Sequence, residues 1–179
     1  MKLVAISGSL RQASFNTRLG RLMADLSPAG CEVVLKGLHG IPLYNADDEE
    51  ARGIPEAVEA LRGEIKAADG LILITPEYNG AMPGVLKNAL DWLTRPGEEM
   101  KPTFGHRPTA LAGATPGAWG TAMAQSGALI NLRQLGVNLF PDFLRVSRAG
   151  TVLGDGEVDA KLRDQVGAWL ERFVEFARG

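Results

Sequence analysis

The sequence predicts an open α/β sheet of parallel strands with helices on both faces, and three observations carry that prediction. Short apolar runs alternate with amphipathic stretches along all 179 residues. The runs at 3–6 and 71–74 are apolar at every position, as strands covered on both faces must be. No repeat or low-complexity segment interrupts the alternation, so residues 1–179 read as one domain, large enough to bury a core unaided.

Each element follows in order. Leu3, Val4, Ala5 and Ile6 form the first strand, which ends at Ser7, Gly8 and Ser9. A helix from about Asn16 places Leu19, Leu22, Met23 and Leu26 on one face. Residues 31–35 are the second strand. The connection after it holds Gly40, Pro42 and Asp47-Asp48 and reads as loop. Pro55 suits a first helical position. Val58, Leu61, Ile65 and Ala68 then keep helical spacing until Asp69-Gly70 stops the run. Residues 71–74 are the third strand. A helix beginning near Pro83 turns Leu86, Ala89, Leu90 and Leu93 inward. Residues 109–112 are the fourth strand, followed by a glycine-rich turn and a helix over 120–135. A fifth strand falls within 137–146, where Pro141 blurs its limits. Leu162, Val166, Trp169, Leu170 and Phe173 share one face of a closing helix.

Bulk properties remove several function classes. The net charge is −2 and no basic run could track a phosphate backbone, so no nucleic-acid partner is expected. Cys31 stands alone, which excludes an intramolecular disulfide and a cysteine-based metal site and fits a reducing compartment. No stretch reaches the about 18 apolar residues of a membrane span, and the first apolar run is short for a secretory signal. A cytoplasmic protein without a membrane partner is the expectation. His39 and His106 lack metal-ligand spacing, no HExxH is present, and no metal is expected. A GxSxG nucleophile elbow is absent. The carboxylates of residues 47–50 read as a solvated acidic face.

In open α/β sheets ligands bind outside the carboxyl ends of the strands. Three loops follow strands here, 8–16, 75–82 and 113–120, and are expected to meet at one edge. The first precedes a helix, whose free N–H groups and dipole favour an anion. Ser9, Ser14, Asn16 and Thr17 add short polar groups, and Arg11 adds a planar cation suited to phosphate. Neither GxxxxGK nor GxGxxG occurs in this loop. The alternative is a helix capped by Ser14 or Asn16, with Arg11 a solvated surface charge. In the second loop Pro76 and Pro83 stiffen both ends, Tyr78 supplies a flat face, and Asn79 an amide. The alternative there is a rigid turn with an exposed tyrosine.

Gly8-Ser9-Leu10-Arg11, Ser14-Phe15-Asn16, Pro76-Glu77-Tyr78-Asn79 and Pro83-Gly84-Val85-Leu86-Lys87-Asn88-Ala89-Leu90-Asp91-Trp92-Leu93 together resemble the NADPH-dependent FMN reductase family, which includes quinone, chromate and azo-dye reductases. The resemblance implies a flavodoxin-like, five-stranded parallel sheet in the order 2-1-3-4-5. It implies FMN as cofactor, its phosphate held by Ser9, Arg11, Ser14 and Asn16, with Thr17 beside them. Pro76, Glu77, Tyr78 and Asn79 would line the isoalloxazine, largely through backbone atoms. The loop 114–120, with Thr115 and Gly117, would meet the pyrimidine end. Thr115, Pro116 and Trp119 stand where many relatives carry serines and paired glycines, which implies a narrower acceptor pocket.

The activity so implied is a ping-pong transfer of hydride from NADPH or NADH through bound FMN to small acceptors such as quinones, azo dyes, chromate or free flavin. No protein side chain is needed as catalyst. A homodimer or homotetramer is implied, with the segment 93–105 reaching a partner chain. The main alternative is a flavodoxin-type electron carrier, against which the net charge of −2 and Arg11 argue. A more distant one is a ligand-binding regulatory module without a redox role.

Overall fold

In the computed structural model, residues 1–154 and 157–179 are described. Lys2–Ser7 (β1), Glu32–Lys36 (β2), Gly70–Ile74 (β3) and Pro108–Ala114 (β4) pair in parallel in the order β2-β1-β3-β4. The period of two along a strand sends alternate residues into two cores. Leu3 and Ala5 of β1, with Ile72 and Ile74 of β3, enter one core. Val4, Ile6, Leu71 and Leu73 enter the other. The first core is covered by Phe15–Asp25 (α1) and Ala160–Arg178 (α8), through Leu19, Met23, Val166, Trp169 and Phe173. The second is covered by Glu56–Lys66 (α3), Gly84–Leu93 (α4), Met100–Phe104 (α5) and Ala122–Leu135 (α6). Ala46–Arg52 (α2) adds no buried residue to either core, whereas the short Ala149–Val152 (α7) adds buried Ala149 to the first.

The expected fifth strand is split, giving six strands rather than five. Asn138–Leu139 (β5) and Leu144–Val146 (β6) both pair in parallel with β4, at its two ends. Pro141 explains the gap, since it has no N–H to give the ladder. The chain leaves β4 just after Phe140, whose N–H donates to Thr109 O at 2.9 Å, and rejoins it at Leu144.

The acidic run at 47–50 also departs from expectation: it is helical. The Asn45 side chain accepts from Asp47 N at 3.1 Å and caps α2, and Gly53, at φ 74°, ends it. Asp47, Asp48 and Glu49 occupy the first turn, where the helix dipole favours negative charge. Glu49 is not solvated. It accepts from Arg95 Nε at 2.9 Å and from the Tyr44 hydroxyl at 3.0 Å, and the guanidinium holds its carboxyl below the usual range. Pro55 sits one position earlier than expected, as the N-cap outside α3, and α4 begins next to Pro83, its N-cap.

The long motif in α4 has a structural purpose. Asn88 Oδ1 accepts from Tyr44 N at 2.8 Å. Asn88 Nδ2 and Trp92 Nε1 both donate to Pro42 O, at 2.8 and 2.9 Å. One face of α4 thus holds the loop that leads into α2. The segment 93–105 folds against its own chain: buried Arg62 donates to the carbonyls of Trp92 and Arg95, Lys66 pairs with Glu99, and Phe104 is buried.

Lys2 and Lys36 close the edge of β1 and β2 by pairing with Glu64 at 2.8 and 2.5 Å. These two ammonium groups lower the Glu64 carboxyl from the ordinary 4.5 to about 2. A depressed folded-state value contributes stability above the unfolded value, and that contribution is lost as pH falls through the folded one. Glu64→Gln is expected to lower the urea midpoint at pH 7 and to flatten the decline between pH 4.5 and about 2. An unchanged acid slope in the variant would show that the pair contributes nothing.

Candidate functional site

The site begins with the close approach of two loops. Gly8 N donates to Ile74 O at 2.9 Å, and a Cβ on Gly8 would stand 3.0–3.2 Å from Leu86, Pro76 and Ile74 O. A larger residue there would have to push these neighbours aside by a few tenths of an ångström. Beyond it, Ser14 caps α1 by accepting from Thr17 N at 3.3 Å. Arg11 N donates to Ser9 Oγ at 3.3 Å. Both hydroxyls therefore act as acceptors within the loop and keep their protons to donate. Among the described residues, the N–H groups of Gln12, Ala13, Ser14, Phe15 and Asn16 donate to no protein acceptor. No acidic residue occupies the first turn of α1, so its dipole is uncompensated.

Asn16 does something composition could not reveal. Its side chain is 4% exposed; Nδ2 donates to Ala114 O and Oδ1 accepts from Ala114 N, each at 2.9 Å. The amide ties the start of α1 to the end of β4, across the end of β3. One Nδ2 proton is engaged there, which leaves the second Nδ2 proton and the backbone N–H. Thr17 also turns away: its hydroxyl pairs with Ser7 Oγ at 2.8 Å, and it does not line the cleft.

The second loop is a tight hairpin. Tyr78 and Ala81 exchange backbone hydrogen bonds of 3.0 and 3.1 Å. Between them Asn79 and Gly80 are left-handed, at φ 51° and 73°, the conformation that Asn-Gly favours in a two-residue turn. Asn79 is thus a turn residue outside the cleft lining, while Pro76, Glu77 and Tyr78 line it. The Glu77 side chain reaches across to α6, where Oε2 accepts from Met123 N at 2.8 Å and Ala124 N at 3.0 Å. Thr121, the N-cap residue of α6, makes no side-chain cap bond, so Glu77 caps that helix from the neighbouring loop.

The third loop is anchored at its base. A Cβ on Gly113 would stand 2.0 Å from Thr121 Oγ1 and 2.5 Å from Thr75 O. Thr115 N donates to Val146 O at 3.0 Å, and Thr115 O accepts from Ala149 N at 2.9 Å. Gly117 N donates to Thr115 Oγ1 at 3.3 Å. Gly117 itself lies outside the cleft lining.

The three loops enclose an open-sided cleft of about 110 Å³. Ser9, Arg11, Ser14, Asn16, Pro76, Glu77, Tyr78 and Thr115 line it. Phe15, Ala114 and Pro116 line it as well and were not singled out, because an apolar residue in a loop carries no chemical signal. A cofactor-sized ligand needs ~300–1,000 Å³. A ligand of that size would extend beyond these walls. The donor set suits FMN: unpaired N–H groups, two hydroxyls and an exposed guanidinium for the phosphate, and an aromatic hairpin beside it.

Losing the Glu77 cap should be measurable. Glu77→Ala is expected to cost ~0.5–2 kcal/mol of stability, the range for an N-cap. It should also speed hydrogen exchange at the Met123 and Ala124 amides. Unaltered exchange at those two amides would rule out the cap.

Comparison with known proteins agrees with this geometry. Residues 1–151 match the family model described as NADPH-dependent FMN reductase. An NAD(P)H-dependent FMN reductase of Pseudomonas aeruginosa is 48% identical over 125 residues, 70% of this chain and 65% of that protein, so the match spans just under two thirds of that relative. A quinone reductase of Pseudomonas putida strain KT2440 is 30% identical over 98% of this chain and 94% of its own. The solved structure of FerB, a flavoenzyme NAD(P)H:acceptor oxidoreductase from Paracoccus denitrificans, superposes with a TM-score of 0.85 at 32% identity, covering 99% of this chain and 97% of that one. By the family match, by full-length identity and by fold, the chain belongs to the NADPH-dependent FMN reductase family, a family of oxidoreductases.

Proposed function

We propose that the cleft holds FMN and that the protein passes hydride equivalents from NADPH or NADH to small acceptors, quinones foremost. One observation carries this reading: the ends of β1, β3 and β4 bring an uncompensated helix start with unpaired N–H groups against an aromatic hairpin in one open cleft. Bound FMN would supply the hydride-accepting and electron-donating chemistry.

The chain's own residues bind, orient and leave room. The N–H groups of 12–16 take phosphate oxygens, the hydroxyls of Ser9 and Ser14 donate to others, and Arg11 adds charge. Among the described residues, Glu77 N donates to no protein acceptor and is available to a ring carbonyl. Tyr78 N is already spent on Ala81 O, and Thr115 N on Val146 O. The third loop thus offers the ring fewer amides than the first offers the phosphate. With one open side, nicotinamide and acceptor would use the same face in turn, which supports a ping-pong cycle. Azo dyes, chromate and free flavin are further acceptors such an opening admits. Family likeness supports a homodimer or homotetramer, and the single free Cys31 fits work in the cytoplasm.

Purified protein reconstituted with FMN should be yellow, bleach with NADPH, and recover its colour with a quinone, without a protein partner. Protein that stays colourless after incubation with FMN would end this reading. Arg11→Ala is expected to weaken FMN binding by about 1.5–3 kcal/mol, nearer the lower value because Arg11 is exposed. A titration giving equal affinities would remove Arg11 from the phosphate site.

A further inference from the structure

The loop after β3 carries few main-chain donors. Thr75 N donates to Ala112 O at 2.8 Å, Pro76 has no N–H, and Tyr78 N donates to Ala81 O at 3.0 Å. Among the described residues, Glu77 N–H alone of the stretch 75–78 has no protein acceptor. Pro76, Glu77 and Tyr78 all line the cleft, so this donor belongs to its wall.

The direction of that donor is set by the peptide plane joining Pro76 to Glu77. The carbonyl end of the plane is tied, because Thr75 Oγ1 donates to Pro76 O at 2.7 Å. Thr75 is 1% exposed and Pro76 is buried, so the carbonyl is turned into the protein. The Pro76–Glu77 peptide is trans, and a trans peptide points its N–H opposite to its C=O. The Glu77 N–H is thereby turned away from the buried hydroxyl.

Other contacts keep the plane from rotating. Proline fixes its own φ, and the Pro76 ring is packed so that a Cβ on Gly8 would stand 3.1 Å from its Cδ. On the far side, Glu77 Oε2 accepts from Met123 N and Ala124 N at 2.8 and 3.0 Å, which anchors the residue to α6. Thr75 is itself held to β4 by its N–H, and its branched Cβ restricts χ1, so the hydroxyl stays aimed.

We propose that Thr75 is a positioning residue: by holding the Pro76 carbonyl inward, its hydroxyl turns the Glu77 N–H into the cleft to meet a carbonyl of the flavin ring. The proposal rests on the reading of the cleft as the FMN site. A hydrogen bond strengthens as its acceptor gains negative charge, and the ring carbonyls gain charge on reduction. The placement therefore favours the reduced cofactor over the oxidised one.

The test compares wild-type protein with Thr75→Val, which keeps the shape and loses the hydroxyl, and with Thr75→Ser, which keeps the hydroxyl. Thr75→Val should raise the Kd of oxidised FMN about threefold and that of reduced FMN about thirtyfold, as for losing a neutral and a charged hydrogen bond. That tenfold change in preference lowers the two-electron midpoint potential of the bound cofactor by about 30 mV. Thr75→Ser should return the potential close to the wild-type value. In the wild-type protein, hydrogen exchange at the Glu77 amide should be fast without FMN and slow with it, a measurement that needs no variant to fold. An unchanged or higher potential in Thr75→Val, a serine variant no closer to wild type than the valine one, or a Glu77 amide that FMN leaves unprotected would overturn the assignment. Wild-type protein that binds no FMN would instead remove the flavin reading itself, whereas FMN bound with the Glu77 amide unprotected removes only the role of Thr75.

Discussion

The pair of hydrogen bonds between the Asn16 amide and the backbone of Ala114 is the constraint on which the site depends. It joins the start of α1, the helix that follows β1, to the end of β4, a strand separated from β1 by β3, with 2.9 Å in each direction. Both partners are buried, so breaking the pair would leave unsatisfied polar groups at ~1–3 kcal/mol each, more than the net worth of an ordinary hydrogen bond. That asymmetry fixes the distance between the turn before α1 and the third loop. A second brace runs parallel to it: Glu77 connects the end of β3 to the start of α6. Together the two side chains set the cleft's width. The N–H groups of 12–16 lie apart from both braces and donate to no protein acceptor among the described residues.

The sheet was legible because burial on both faces disfavours polar residues within β1 and β3, and Leu-Val-Ala-Ile and Leu-Ile-Leu-Ile, short and set between amphipathic helical stretches, read as covered parallel strands. The convergence of three loops followed from that sheet, since strand ends in a parallel array lie together. What stayed hidden were side-chain allegiances across long sequence separations. Asn16 looks the same whether its amide faces a phosphate or Ala114, 98 positions away. The purpose of Asn88 and Trp92 is equally invisible until Pro42 is seen beneath them.

Other differences had local signals that were outweighed. Asn79-Gly80 is the strongest short hairpin signal a sequence can hold, but the adjacent tyrosine and prolines drew the reading towards a ligand wall. Asn45 ahead of three carboxylates, with Gly53 beyond, is a cap, a dipole-matched first turn and a stop. Net acidity masked it, because a charged run without apolar periodicity reads as loop. The split of the last strand was half visible in Pro141; its second half, β6, depends on pairing with Gly113 and its neighbours and so is set by tertiary contact.

The division between side chains that build the cleft and amides that serve it has a consequence for evolution of acceptor preference. Asn16, Glu77, Gly8 and Gly113 each fill a geometric need that few substitutions meet, so changes there would disturb the walls before altering selectivity. Pro116, Ala118 and Trp119 meet no such need: they are exposed, and their neighbours carry the loop's anchoring bonds. A loop fixed at its base and free at its crest can change what it presents to solvent at little cost in stability, since surface substitutions there cost within ~0.5 kcal/mol. The crest of this loop can thus change without disturbing the amides at the start of α1.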